Sequence, residues 1–218
     1  MNTTRSIFAV VPIKDPMLGK TRLSPLLDAR ERRALCLHLA RRTLDACVGA
    51  FGATRTIVVT ASADIARMAT EGGIQLVDEA RATAQLNTAI ALGADRARLA
   101  GAQVLLVVPA DLALVSVAEL RAAADAIPPA PGCLVVPDRR QCGTNLLGLA
   151  PLRDDLFAFG ESSMRRHIEL AERAGCKVRV YRNAALSLDL DLPEDNAEWQ
   201  RGGGESSAYP EQAGSIRA

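Results

Sequence analysis

Residues 10–23 read VVPIKDPMLGKTRL, an aliphatic run that passes into Gly-Lys-Thr, the closing triplet of a phosphate-binding P-loop. The rest of that motif is missing. Lys14 stands where its first glycine belongs, Pro16 removes a backbone donor, and Ser24-Pro25 postpones any helix to about Asp28. The stretch therefore reads as a buried strand followed by a loop that carries Lys14, Lys20 and Arg22. In open α/β sheets ligands collect at the C-terminal ends of the strands, where this loop would lie. Two readings of it stand on these residues alone. One is a solvated basic loop; the other is a polyphosphate clamp, with the guanidinium as a bidentate donor and the lysines as point charges.

Working outward, residues 56–61, 103–109 and 133–137 join 6–13 as nearly unbroken apolar runs, the pattern of strands buried on both faces. Between them, residues 28–50, 63–71, 83–100 and 116–126 carry helical spacing. In the first of these Leu35, Leu39 and Leu44 form one stripe, flanked by Arg32, Arg33, Arg41 and Arg42. Residues 74–77 make a further short strand. The alternation predicts an α/β fold with a mostly parallel sheet covered by helices on both faces. Residues 145–149, 177–181 and 186–190 are predicted strands, with a helix at 162–174, so the sheet should be mixed. Residues 1–200 are expected to form one domain, and the Gly- and Ser-rich residues 201–218 a disordered tail.

Composition narrows the function. With 26 basic and 25 acidic residues the net charge is +1, so no long-range field draws the chain to nucleic acid or to an anionic membrane. Aromatic residues are 3% of the chain, too few for a surface that stacks exposed bases. Five widely spaced cysteines without a C-x-x-C pair read as reduced thiols. No signal peptide or membrane span is legible, and a cytoplasmic protein is expected.

Carboxylates complement the basic loop. The run at 104–109 leads directly to Asp111, and in the alternating stretch SLDLDLP, residues 187–193, period two puts Asp189 and Asp191 on one side. Like charges on one face call for a cation, and magnesium takes one or two carboxylates together with phosphate oxygens and water. An exposed strand end, or capping of a helix at Pro193-Glu194-Asp195, explains the same residues without a metal. A third region, QCGTN at 141–145 and FGESSMRRH at 159–167, brings glycine, serines and a helix start together. Free N–H groups and hydroxyls there suit a second anion, although on these letters alone Ser162 as an ordinary N-cap, with no ligand, is the favoured reading. His167 and His38 read as structural, and no nucleophile with a partnering base is spaced for covalent catalysis.

In this order and at these spacings, VVPIKDPMLGKTRL, Gln85-Leu86-Asn87, VVPADLALV, Gly143-Thr144-Asn145, FGESSMRRH and LDLDLPED resemble the guanylyltransferases that make the phospholactyl-type precursor of the deazaflavin coenzyme F-420. The resemblance runs from Ile7 to about Trp199. It implies a three-layer, Rossmann-like nucleotidyltransferase fold, related to the nucleotide-sugar and molybdenum-cofactor enzymes. It also implies transfer of GMP from GTP to 2-phospho-L-lactate, phosphoenolpyruvate or 3-phospho-D-glycerate, with release of pyrophosphate. On the resemblance, Lys14, Lys20, Arg22 and Asn87 hold the nucleotide, and Lys20, Arg22 and Asp111 are catalytic. Asp111, Asp189 and Asp191 hold Mg2+, while Thr144, Gly160, Ser162 and Ser163 hold the acceptor acid. The product would pass to a downstream phospho-acid transferase. Two departures stand out, Gln141-Cys142 before Gly-Thr-Asn and Ala113 where a proline is usual. Two other readings remain: a cytidylyltransferase of the molybdenum-cofactor type, and a non-catalytic nucleotide-binding subunit.

Overall fold

The computed structural model describes residues 5–78 and 85–201. Among these residues seven strands form one sheet: β1 Ile7–Pro12, β2 Thr56–Thr60, β3 Gln75–Asp78, β4 Val104–Val107, β5 Gly132–Pro137, β6 Thr144–Ala150 and β7 Lys177–Val180. Their order is β3-β2-β1-β4-β6-β5-β7. All neighbours are parallel except where β6 lies antiparallel to both β4 and β5. Reversing β6 alone has a consequence for function. Its N-terminal end, at Thr144, shares an edge with the C-terminal ends of β1, β4 and β5, where ligands bind in such sheets.

Among the described residues six α-helices complete the fold: α1 Ala29–Phe51, α2 Ala63–Glu71, α3 Leu86–Leu99, α4 Val117–Ala126, α5 Ser163–Arg173 and α6 Pro193–Arg201. Strand residues alternate between two apolar clusters. Ala9 and Val11 face a core shared with Ala40 and Leu44 of α1, Ile65 of α2 and Leu120 of α4. Phe8 and Val10 face the opposite core, with Ile90 and Ala94 of α3 and Ala171 of α5. These are the three layers expected. Close approach of α3 to the sheet depends on Gly93, where a Cβ would lie 2.5 Å from Val10 Cγ1 and 2.9 Å from Val59 Cγ2.

Asp28 starts α1 with a capping box, its side chain accepting from Glu31 N while Glu31 bonds back to Asp28 N. That explains why no helix follows the Gly-Lys-Thr triplet directly: residues 16–18 and 21–23 make only single tight turns before this cap.

A third cluster, outside the two main cores, joins Leu23, Leu27, Leu35, Leu39, Ala113, Leu188, Leu190 and Trp199. It replaces one expected element. Residues 186–190 form no strand; a lone antiparallel bridge links Asp189 to Leu112. The leucines of the alternating stretch turn into this cluster, and its backbone bonds go to a loop rather than to the sheet, Ala113 N to Leu188 O and Leu190 N to Asp111 O. Period two is also satisfied by a loop with one buried side, which is why residues 186–190 read as a strand in the sequence and are none in the structure. The helix expected at 83–100 begins at Leu86, and residues 83–84 fall outside the described residues. Helix α6 extends through Arg201, whereas the rest of the expected tail, 202–218, lies outside them.

Candidate active site

The loop after β1 turns sharply at Lys20, which adopts the left-handed conformation with φ 54°. Gly19 precedes it because a Cβ there would sit 2.6 Å from Cys36 Sγ. The turn drives the Lys20 side chain inward, and Leu23 anchors the far side of the loop in the third cluster. Lys20 Nζ lies 3.0 Å from Asp111 Oδ2 and 2.9 Å from Asp191 Oδ1. Its side chain is 8% exposed, against 33% for Asp111 and 42% for Asp191. Arg22 stays in solvent, with Nη1 3.7 Å from Asp191 Oδ2. Asp189 accepts from Asn145 Nδ2 at 3.3 Å, and that amide also donates to Leu186 O at 3.1 Å.

Residues distant in sequence thus meet at one sheet edge, and the third cluster gives them a common floor. Ala113, Leu188 and Leu190 are its members, two residues or fewer from Asp111, Asp189 and Asp191. Ala113 in place of the usual proline supplies an N–H for the bond to Leu188 O, at 3.1 Å, that proline lacks.

Electrostatics sort the three carboxylates. Burial opposes the charge of Lys20, but Asp111 and Asp191 outweigh it and hold the ammonium well above the ordinary lysine range. Burial also opposes the Asp191 carboxylate, yet Lys20 and Arg22 bring its pKa below the usual value. Asp189 moves the other way. Its burial, then the neighbouring Asp111 charge, raises its pKa. A carboxylate disfavoured in this manner is one that a further cation would stabilise.

Beside the cluster opens a cleft of about 450 Å³, lined among others by Lys14, Gly19, Lys20, Cys36, Leu86 and Asp111. Cys36 was not among the expected site residues. It sits on α1 one residue beyond the buried Leu35, and the leucine stripe carried no sign of it because adjacent helix residues do not share a face. A smaller cavity of about 140 Å³ brings Asp189 and Asp191 together with Arg22, Arg139 and Arg140. The two aspartates do share a side, as period two implied.

Thr144, Gly160, Ser162 and Ser163, the residues expected to hold the acceptor, gather at the start of β6 and of α5. Thr144 N donates to Ser163 Oγ at 2.9 Å, and Met164 N donates to Cys142 O at 3.2 Å. Ser162 is not the ordinary N-cap that its letter suggests: it has φ 52° and makes no capping hydrogen bond, because Gly160 and Ser162 turn the chain sharply into the helix. Lys20, Gln141 and Ser162 are the residues other than glycine with positive φ among the described residues, and all lie at this edge, where such backbone geometry tends to concentrate. Asn87 occupies the first turn of α3, but its amide is engaged. Nδ2 donates to Phe159 O at 3.1 Å and Oδ1 accepts from Phe159 N at 2.9 Å. One N–H and one lone pair are left for anything else. His167, read as structural from the sequence, is completely buried between Thr144 and Ala158.

Fold and site together define a nucleotidyltransferase: a mixed Rossmann-like sheet with lysine, arginine and aspartates converging at its ligand edge. Residues 7–210 match the family described as guanylyl transferase CofC like. A phosphoenolpyruvate guanylyltransferase of Rubrobacter xylanophilus is 37% identical over 202 residues, covering 91% of this chain and 96% of the relative. A 3-phospho-D-glycerate guanylyltransferase of Colwellia psychrerythraea is 33% identical over 186 residues, 85% of this chain and 87% of that one. In fold, a nucleotidyl transferase from Methanothermobacter thermautotroptrophicus superposes with a TM-score of 0.63 at 15% identity, over 91% of this chain and 98% of the other. The chain belongs to the CofC-like guanylyl transferase family. Membership decides for the guanylyltransferase reading over the cytidylyltransferase and over the non-catalytic subunit.

Proposed function

We propose that this chain transfers GMP from GTP to a small phosphorylated carboxylic acid, in the pathway to a deazaflavin coenzyme and within the cytoplasm. An oxygen of the acid's phosphate forms the new bond to the α-phosphorus, the bond from that phosphorus to the bridging oxygen breaks, and pyrophosphate leaves with the electron pair. The attacking phosphate is already anionic at neutral pH, so alignment and charge neutralisation suffice without a strong base. Phosphoenolpyruvate and 3-phospho-D-glycerate are the acids named for the relatives, and 2-phospho-L-lactate is of the same chemical class.

The observation that carries this reading is the convergence of Asp111 and Asp191 on one cationic atom, Lys20 Nζ, beside the half-buried Asp189. Two carboxylates already arranged around a single positive centre fit a hard divalent cation. Among the described residues no group of three or more His, Cys, Asp or Glu is placed to hold a metal ion as it stands, so the aspartates would have to draw together on a cation. Magnesium brings phosphate oxygens and water as further ligands and needs one or two carboxylates. Asp111, Asp189 and Asp191 would hold it, and its charge would stabilise the phosphates during transfer. Lys14, Lys20 and Arg22 would take the triphosphate. Asn87 would flank the nucleoside and also brace Phe159. Thr144, Gly160, Ser162 and Ser163 would receive the acid's carboxylate and phosphate. A diphosphate product of this kind calls for direct hand-off to the enzyme that consumes it.

Incubation with GTP, Mg2+ and each of the three acids, read by phosphorus NMR, tests the reaction. The expected result is a new diphosphate signal plus pyrophosphate with at least one acid, abolished by excess EDTA. GTP left intact with all three acids would contradict the proposal, as would turnover insensitive to EDTA for its metal.

A further inference from the structure

A buried histidine that touches a proposed binding residue invites a question about its protons. The His167 ring contacts two polar atoms. The backbone N–H of Ala158 points to Nε2 at 3.1 Å, and Nδ1 lies 2.9 Å from Thr144 Oγ1. A backbone N–H can only donate, so Nε2 must be the unprotonated nitrogen. A neutral imidazole then carries its proton on Nδ1, and that N–H donates to the Thr144 hydroxyl oxygen. Burial, helped by the nearby Arg166, lowers the His167 pKa to about 4, so the ring is neutral at physiological pH.

The consequence falls on Thr144. Its oxygen accepts from His167, which leaves its own proton for another partner, and no second partner for Oγ1 is found among the described residues. Ser163 Oγ is placed in the same way, since it accepts from Thr144 N at 2.9 Å. Two neighbouring hydroxyls, each with one lone pair already engaged and its proton uncommitted, are biased towards donating. That polarity suits a carboxylate or phosphate. The ring is also fixed in orientation: Phe159 meets it edge-on at 4.7 Å, and Asn87 holds Phe159 through both backbone groups.

We propose that His167 is a positioning residue for the acceptor acid: its Nδ1–H engages the Thr144 oxygen and so commits the Thr144 hydroxyl to donate to the acid's anionic group. The inference rests on the guanylyl transfer reading for the identity of that acid. The tautomer it requires can be measured without turnover.

Two experiments on the full chain test it. In the first, nitrogen-15 NMR of the imidazole should show the Nδ1–H tautomer, with Nε2 unprotonated, at neutral pH. An Nε2–H tautomer would overturn the proposal whatever the enzyme turns over. In the second, steady-state kinetics are measured with the acid that the wild type uses. His167→Asn places an amide N–H near the Nδ1 position, whereas His167→Gln places its amide near Nε2 and leaves Thr144 without a donor. His167→Gln is expected to raise KM for the acid roughly tenfold, with KM for GTP unchanged. His167→Asn should recover most of that loss, and His167→Gln combined with Thr144→Val should be no worse than Thr144→Val alone. Equal damage by Gln and Asn, a parallel rise in both KM values, or additive losses would show a merely structural histidine and overturn the proposal. A wild type with the Nδ1–H tautomer but no guanylyl transfer would overturn the acceptor role and, separately, the functional reading beneath it.

Discussion

The two halves of the site are held by different forces. On the side proposed for the nucleotide, Lys20 bridges Asp111 and Asp191 through charge, on loops seated over a small satellite core. On the side proposed for the acceptor, Thr144, Ser163 and His167 are linked by neutral hydrogen bonds, and each belongs to a strand or a helix of the main fold. Charge pairs can be exchanged: an incoming cation can take over the aspartates while the ammonium turns to a phosphate. A neutral network of fixed donors offers no such exchange, and its geometry is set before the ligand arrives. The difference suggests a site that rearranges around its triphosphate but is preorganised for its acid.

Breaking the charged half should have the largest effect. Asp111→Asn is expected to lower kcat roughly a thousandfold with little change in KM for the acid, measured by pyrophosphate release. Lys20→Met should reduce kcat/KM for GTP about a hundredfold. It should also lower the ligand-free stability in urea by about 1–2 kcal/mol, a modest figure because both aspartates keep a third or more of their exposure. If Lys20→Met altered KM for the acid as much as KM for GTP, the division into two halves would fail.

Acid should find the neutral half first. The folded pKa of His167, about 4, lies below the unfolded value of about 6.5. Between these values the unfolded chain binds the extra proton, so stability falls as pH drops through that window and is retained above it. The loss for a group buried this completely is on the order of 2–3 kcal/mol. Urea midpoints at pH 7 and pH 4.5 should converge in His167→Asn relative to the wild type. Equal pH dependence in both would remove His167 as the source. Smallest in its effect on catalysis is Gly93→Ala, remote from both halves. Its Cβ meets Val10 and Val59, so about 1–3 kcal/mol of stability should be lost with kcat retained.

Most of the sheet was legible because strands buried on both faces announce themselves as aliphatic runs; β2, β4, β5 and β6 are buried at every position. The reversed β6 was anticipated only as some antiparallel strand, since direction depends on the connection and not on the strand's own letters. Lys20, Asp111 and Asp191 were readable as ligand-edge residues because each follows an apolar run or an alternating one. Their contact was not, for it depends on a third cluster assembled from Leu23 to Trp199. The Leu-Asp alternation at 188–191 satisfied a strand's period while the chain used it as a loop. The tautomer of His167 was not legible for a related reason. A histidine letter carries no record of which nitrogen is protonated, and that is settled by Ala158 N–H, nine residues away.

The most direct test of the account is pyrophosphate release by the purified chain with Mg2+, run with each of the four nucleoside triphosphates, with and without phosphoenolpyruvate or 3-phospho-D-glycerate. The account predicts release that needs GTP and an acid together. Release with CTP in place of GTP, or with GTP in the absence of any acid, would contradict it.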